Sequence, residues 1–302
     1  MQTPWGDIEV ADAHVHFFSP NFFLSLASLC QKTPDALEGI LGWQFPLQPE
    51  ELADSWVSEL DRHGVARAAI IGSIPGDEHS VIAAVKRHPK WFYGYFMLNP
   101  TAPDAMERVE RALAAGLRGV CLFPAMHCYS IQDARLKPIF ETIARRKGAI
   151  IFVHCGVLTV GVRSKLGLAT PFDLRFSNPI DLHAVALEFP NVNFVVPHFG
   201  AGYFRETLML ADLCPNVYLD TSSSNSWVKY QAGQLDLTGV FKRSLDILGP
   251  SRLLFGTDSS FFPRGWHCKV FDSQVEAMQK LGATAADAKL ILGGNLTRLL
   301  QG

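Results

Sequence analysis

The chain lacks any long run of one charge. Its longest basic stretch is Arg145-Arg146-Lys147, and its formal net charge at pH 7 is −2. That balance leaves no electrostatic footprint for nucleic acid or for an anionic membrane surface. Nowhere do 18 apolar residues follow one another, so no membrane-spanning helix is expected. The first seven residues, Met1 to Asp7, lack the basic start and apolar core of a secretory leader. Cysteine occurs at 30, 121, 128, 155, 214 and 268, without a Cys-x-x-Cys pair. Such scattered use reads as reduced thiols in a cytoplasmic protein, not as a disulfide framework. No G-x-S-x-G, phosphate-binding P-loop or H-E-x-x-H string occurs, so serine hydrolase, P-loop NTPase and zincin chemistries have no support.

What is present is ample apolar material, 48% of 302 residues, in alternating strand-like and helix-like stretches. Short apolar runs read as strands near 8–14, 67–71, 92–98, 119–123, 149–154, 193–198, 217–220 and 253–258. Helical periodicity between them gives a repeating βα pattern. Eight such units in one chain of this length predict a single-domain α/β fold spanning 1–302, a (β/α)8 TIM barrel. One connection is unusual. Residues 17–49, rich in Phe, Leu and Trp, have no single period and are expected to form a lid after strand one.

In such a barrel the chemistry lies at the C-terminal ends of the strands. Strand one delivers His14 and His16, two residues apart and so on one face. Strand five ends in His154, strand six in His198 and strand eight in Asp258. Parity places Phe152 and Ile150 inside the barrel with His154, and Val196 and Phe194 inside with His198. Any one of these histidines alone would read as a hydrogen-bonded core residue. Four imidazoles and a carboxylate on one rim, desolvated together, call for a divalent cation.

The order H-x-H, then VHCG, VPHFGAG and FGTD, with NVYLDTSS and LILGGNLTRLL in support, resembles the amidohydrolase superfamily. More narrowly it resembles the amidohydrolase-related branch that includes the aminocarboxymuconate semialdehyde decarboxylase group. The resemblance implies that His14, His16, His154 and Asp258 hold one metal ion, zinc before manganese. It places His198 beside the activated water or the substrate carbonyl as acid, base or electrostatic aid. It also implies a homodimer. One departure is informative: Cys121 stands where relatives with two metals carry a bridging lysine, which speaks for a mononuclear centre. Cys121 reads as a small core residue, and Cys155 points away from the barrel by parity.

Arg163 and Arg175, in the loop after strand five, and Arg118, at the start of strand four, are the guanidinium groups considered for a substrate carboxylate. Phe17, Tyr129 and Trp266, with Trp43, fall in or near rim loops and are expected to wall an apolar substrate. Asp220, at the end of strand seven, is assigned a structural hydrogen-bonding role. The expected activity is hydrolysis of an amide, lactone or related carbonyl of a small molecule, with Asp258 as base and His198 assisting. Non-oxidative decarboxylation of an unsaturated or aromatic carboxylate is the alternative within enzymes. A barrel that keeps the histidines without catalysis is the rival outside them.

Overall fold

Strand residues divide between two apolar layers, as their two-residue period requires. One layer fills the barrel: Ala69 and Ile71, Tyr93, Tyr95 and Met97, Cys121, Ile150 and Phe152, closed below by Leu296, Leu299 and Leu300. The other faces the helices and holds, among others, Ile70, Phe96, Val120, Ile151, Phe194 and Leu219. The structure, a computed structural model, describes residues 1–301. Its main sheet has eight parallel strands in chain order. They are β1 Val10–Phe17, β2 Val65–Gly72, β3 Phe92–Leu98, β4 Gly119–Leu122, β5 Ile150–Val153, β6 Asn193–Val196, β7 Val217–Asp220 and β8 Leu253–Leu254.

The strand β8 is much shorter than the run 253–258 expected for it. The backbone nevertheless goes on to close the barrel against β1. Ala13 N–H donates to Phe255 O (2.8 Å), Asp258 N–H to His14 O (2.9 Å) and His16 N–H to Ser259 O (2.7 Å). Helices such as Pro49–His63, Glu78–Arg87, Ala105–Ala114, Phe204–Leu213, Leu237–Leu248 and Cys268–Lys280 cover the outside. A two-stranded hairpin, Gln2–Thr3 with Gly6–Asp7, precedes β1 and was not foreseen. Among the described residues no helix is long and apolar enough to cross a membrane.

Segment 17–49 contains two helices, α1 Pro20–Leu29 and α2 Pro34–Leu41. Both start on a capping hydroxyl followed by proline at the first helical position. Ser19 accepts from Phe22 N–H and Thr33 from Ala36 N–H. Gly42, at φ 63°, ends α2 in the left-handed conformation. Phe22, Phe23, Leu26, Leu37 and Trp43 form a third apolar cluster with Val162, so the segment packs onto the loop after β5. Ser19 Oγ and Asn21 Nδ2 both donate to Asp77, which ties the start of the segment to the loop after β2.

Candidate metal centre

The centre begins with a defect in β1. Its register against β2 shifts between Asp12 and Val15. Ala11 and Ala13 therefore sit in the barrel layer, whereas Val15 and Phe17, at the same parity, sit in the outer layer. Such a bulge re-aims the side chains beyond it. Here it turns His14 and His16 to the cavity and sends Phe17 outward. The backbone here is clamped by the buried Asp12 carboxylate. Asp12 accepts from His14 N–H (2.9 Å), Thr257 N–H (3.1 Å) and Trp266 Nε1–H (2.8 Å).

Three donor atoms converge. His14 Nε2 lies 3.4 Å from His16 Nε2 and 3.7 Å from Asp258 Oδ1, and His16 Nε2 lies 3.3 Å from Asp258 Oδ1. Hydrogen-bond accounting assigns the ring protons. His14 Nδ1–H donates to Asp220 Oδ2 at 2.6 Å. Ser73 gives its hydroxyl proton to Ile71 O (3.0 Å), so its oxygen accepts from His16 Nδ1–H (2.9 Å). With both rings neutral the two Nε2 lone pairs face one another, an arrangement that a proton on His14 or a shared cation relieves. His154 adds a further observation. Its Nδ1 is buried and has no hydrogen-bond partner among the described residues. An unpartnered buried ring nitrogen lining the same cavity as two opposed lone pairs and a carboxylate fits a divalent cation. The mutually close set is His14, His16 and Asp258; His154 lies outside it, its ring centroid 5.3 Å from that of His198.

Burial pushes the imidazoles of His16, His154 and His198 down, so they are neutral and free to donate lone pairs at pH 7. His14 goes the other way. Burial, the largest influence, opposes its cation, but Asp220, its hydrogen-bond partner, together with the Asp258 and Asp12 charges pulls the value up. Burial also opposes the Asp258 anion, yet the His16 hydrogen bond and the neighbouring imidazoles hold that carboxyl well below its usual range.

His198 reaches the rim by an unexpected route. In β6 it is Val195 that faces the barrel, while Phe194 and Val196 face the helices, the reverse of the expected parity. The strand ends at Val196, and after Pro197 the backbone turns left-handed through His198 (φ 56°), Phe199 (φ 52°), Gly200 (φ 88°), Ala201 (φ 43°) and Gly202 (φ 106°). Left-handed geometry costs a residue with a Cβ about 1–2 kcal/mol. Asp258 shares it, with φ 61°. Gly200 is required here because a Cβ would stand 1.9 Å from Thr207 Oγ1. Strain concentrated at two site residues is the usual mark of a functional rim. Ser222 Oγ bridges His198 Nδ1 (2.9 Å) and His14 Nδ1 (3.0 Å). His198 Nδ1 also lies 3.3 Å from the Ser222 carbonyl oxygen, which can only accept, so Nδ1 carries the ring proton and Nε2 keeps a lone pair.

The cavity above these groups holds about 710 Å³ and is lined by His14, His16, His154, His198 and Asp258 together with aromatic side chains. Arg163 lines it, as does Trp43. The other residues expected to meet substrate do not. Phe17 is fully buried in the outer layer, the bulge having reversed its direction, and Phe18 takes the cavity position. Tyr129 packs into the same outer layer. Trp266 is buried with its Nε1–H on Asp12, beneath the site. Arg175 is 84% exposed and paired with Asp173. Arg118 sits at the opposite end of the barrel, donating to Lys147 O. Cys121 packs in the barrel layer as a small core residue, and Cys155 lies outside the barrel, where parity put it. Sequence reasoning missed Ser73 and Ser222, short polar residues just beyond strand ends, and Arg264, which lines the cavity.

Comparison with known proteins agrees with this fold. The profile of the family described as Amidohydrolase matches residues 11–301. Protein fluG of Emericella nidulans is 38% identical over 91 residues, which covers 30% of this chain and 10% of that protein. An uncharacterised TIM-barrel protein from Bordetella bronchiseptica superposes with a TM-score of 0.66 at 20% identity, covering 97% of this chain and 98% of that one. A putative 2-pyrone-4,6-dicarboxylic acid hydrolase from Pseudomonas putida gives 0.62 at 20% identity, covering 98% of each chain.

Proposed function

Because this chain belongs to the amidohydrolase family, we propose that it is a metal-dependent hydrolase acting on an amide, lactone or related carbonyl. The observation that carries the reading is the pair of opposed Nε2 lone pairs on His14 and His16, 3.4 Å apart and both beside Asp258 Oδ1. His14, His16 and Asp258 would hold the cation, with His154 as a further donor. Two or three imidazoles and one carboxylate suit zinc, with manganese the second choice. When bound, the cation supplies Lewis acidity, bringing the pKa of a water towards neutrality and polarising a carbonyl.

The chain's own residues do the rest. Asp258 accepts the proton of the attacking water. His198, with Ser222 behind its Nδ1–H and a lone pair on Nε2, takes that proton over and delivers it to the oxygen or leaving group of the substrate. Asp220 fixes the His14 ring, and Ser73 fixes that of His16. The aromatic walls and segment 17–49, acting as a lid, exclude bulk water from the reacting carbonyl.

The test is incubation of the zinc-loaded protein with lactones and amides on one side and unsaturated or aromatic carboxylates on the other. Acid release from the first group supports hydrolysis. Release of CO2 from the second, without hydrolysis, replaces it by decarboxylation.

A further inference from the structure

Four cations line the cavity: Arg163, Lys165, Lys229 and Arg264. Among the described residues, the only acidic side chain lining it is Asp258. In a chain of net charge −2 this is a local reversal of sign. None of the four makes an ion pair among the described residues; the lysine and arginine pairs all lie elsewhere.

What holds two of them is aromatic. Trp43, from segment 17–49, stacks on Phe261, from the loop after β8, with centroids 4.0 Å apart and planes 12° apart. Lys165 Nζ stands 5.5 Å from the Trp43 ring and 5.9 Å from that of Phe261. The Arg264 guanidinium lies 4.5 Å from the Phe261 centroid. Its Nη2 donates to Ser260 Oγ (2.8 Å) and to the backbone oxygen of Asp258 (3.2 Å), which fixes it beside the metal centre. Five donors in a planar fork leave N–H groups unspent. A guanidinium and an ammonium on one aromatic stack repel each other, and an anion between or beside them removes that cost.

The geometry points to a carboxylate subsite formed by Arg264 and Lys165 on the Trp43–Phe261 stack, so that the substrate is an anion with a flat apolar body. With Nη2 spent on Ser260 and the Asp258 backbone, the free Nη1 and Nε hydrogens of Arg264 donate to the carboxylate. The stack and Phe18 receive the body, and the reacting carbonyl is left facing Asp258 and His198. Phe172 and Tyr230 each carry another cavity cation, Arg163 (5.9 Å) and Lys229 (5.0 Å), which extends the positive field along the wall. The inference rests on the hydrolase reading for the word substrate, but the subsite stands on binding alone.

The experiment is calorimetric titration of the metal-free protein with benzene-1,3-dicarboxylate and with its neutral diamide, so that no metal ion supplies the attraction. At least tenfold tighter binding of the dicarboxylate is expected. Arg264→Met and Lys165→Met should each remove most of that preference while the diamide affinity stays within about twofold, which also shows that the variants fold. Equal affinity for the two ligands, or a preference that survives both substitutions, overturns the subsite. The zinc-loaded protein is then given an anionic lactone and its neutral methyl ester. Selective dicarboxylate binding without turnover of either lactone defeats the hydrolase reading and leaves the subsite standing. Turnover of the ester as fast as the anion defeats the subsite and leaves the hydrolase.

Discussion

The Asp220 carboxylate stands 2.6 Å from His14 Nδ1, the ring nitrogen remote from His16. A buried carboxylate behind a ligand imidazole fixes the tautomer and raises ligand basicity. Asp220→Ala should therefore lower zinc affinity about 10- to 100-fold. Competition with a chromophoric chelator measures this, and an unchanged affinity would mean that His14 is oriented by something else.

The same relationship can be broken without touching either partner. A Cβ at Gly256 would stand 2.7 Å from Asp220 Oδ1 and 3.0 Å from His14 Cβ. Gly256→Ala is expected to weaken zinc binding in the same direction and to cost about 1–3 kcal/mol of stability through overpacking. Chemical denaturation of the metal-free variant reads the second effect separately.

Ser222 links the metal side of the site to His198. Without its hydroxyl, His198 Nδ1–H loses its nearer acceptor, at 2.9 Å, and keeps only the Ser222 carbonyl at 3.3 Å. Ser222→Ala should reduce kcat by on the order of tenfold with little change in KM, because a proton-transfer role acts in the transition state. A loss confined to KM would assign Ser222 to binding instead.

Much of this was legible in the sequence because strands and barrels are periodic. The βα alternation predicted the barrel, and residues at strand ends marked the rim. Failures came where an element runs on past its expected end or stops short of it. Phe17 was expected in a rim loop but is the last residue of β1, next to cavity-facing His16, so alternation turns it outward. The chain leaves β6 two residues before His198, so parity counted back from that histidine assigned the wrong face to Phe194 and Val196. Contacts made across the chain, such as Ser222 to His14 or Arg264 to the backbone of Asp258, carry no local signature at all. The two helices of segment 17–49 were readable in hindsight from Ser19-Pro20, Thr33-Pro34 and Gly42.

His127 makes stability depend on acid. Burial lowers its pKa to about 4, and its Nδ1 is buried without a partner. Below the ordinary imidazole value of 6.5 the unfolded chain takes up a proton that the folded one resists. Its contribution is thus full above pH 6.5 and is lost progressively as pH falls towards 4. His127→Gln should flatten the decline of Tm across that window relative to the parent. An equally steep decline in both would place the acid sensitivity elsewhere.

The central claim is one divalent cation held by His14, His16 and Asp258. The most direct measurement is metal content by elemental analysis after zinc loading and gel filtration, for the parent and for Asp258→Asn. One equivalent of zinc per chain in the parent, lost in the variant, is the expected result. No retained metal in the parent, or two equivalents, would contradict the account.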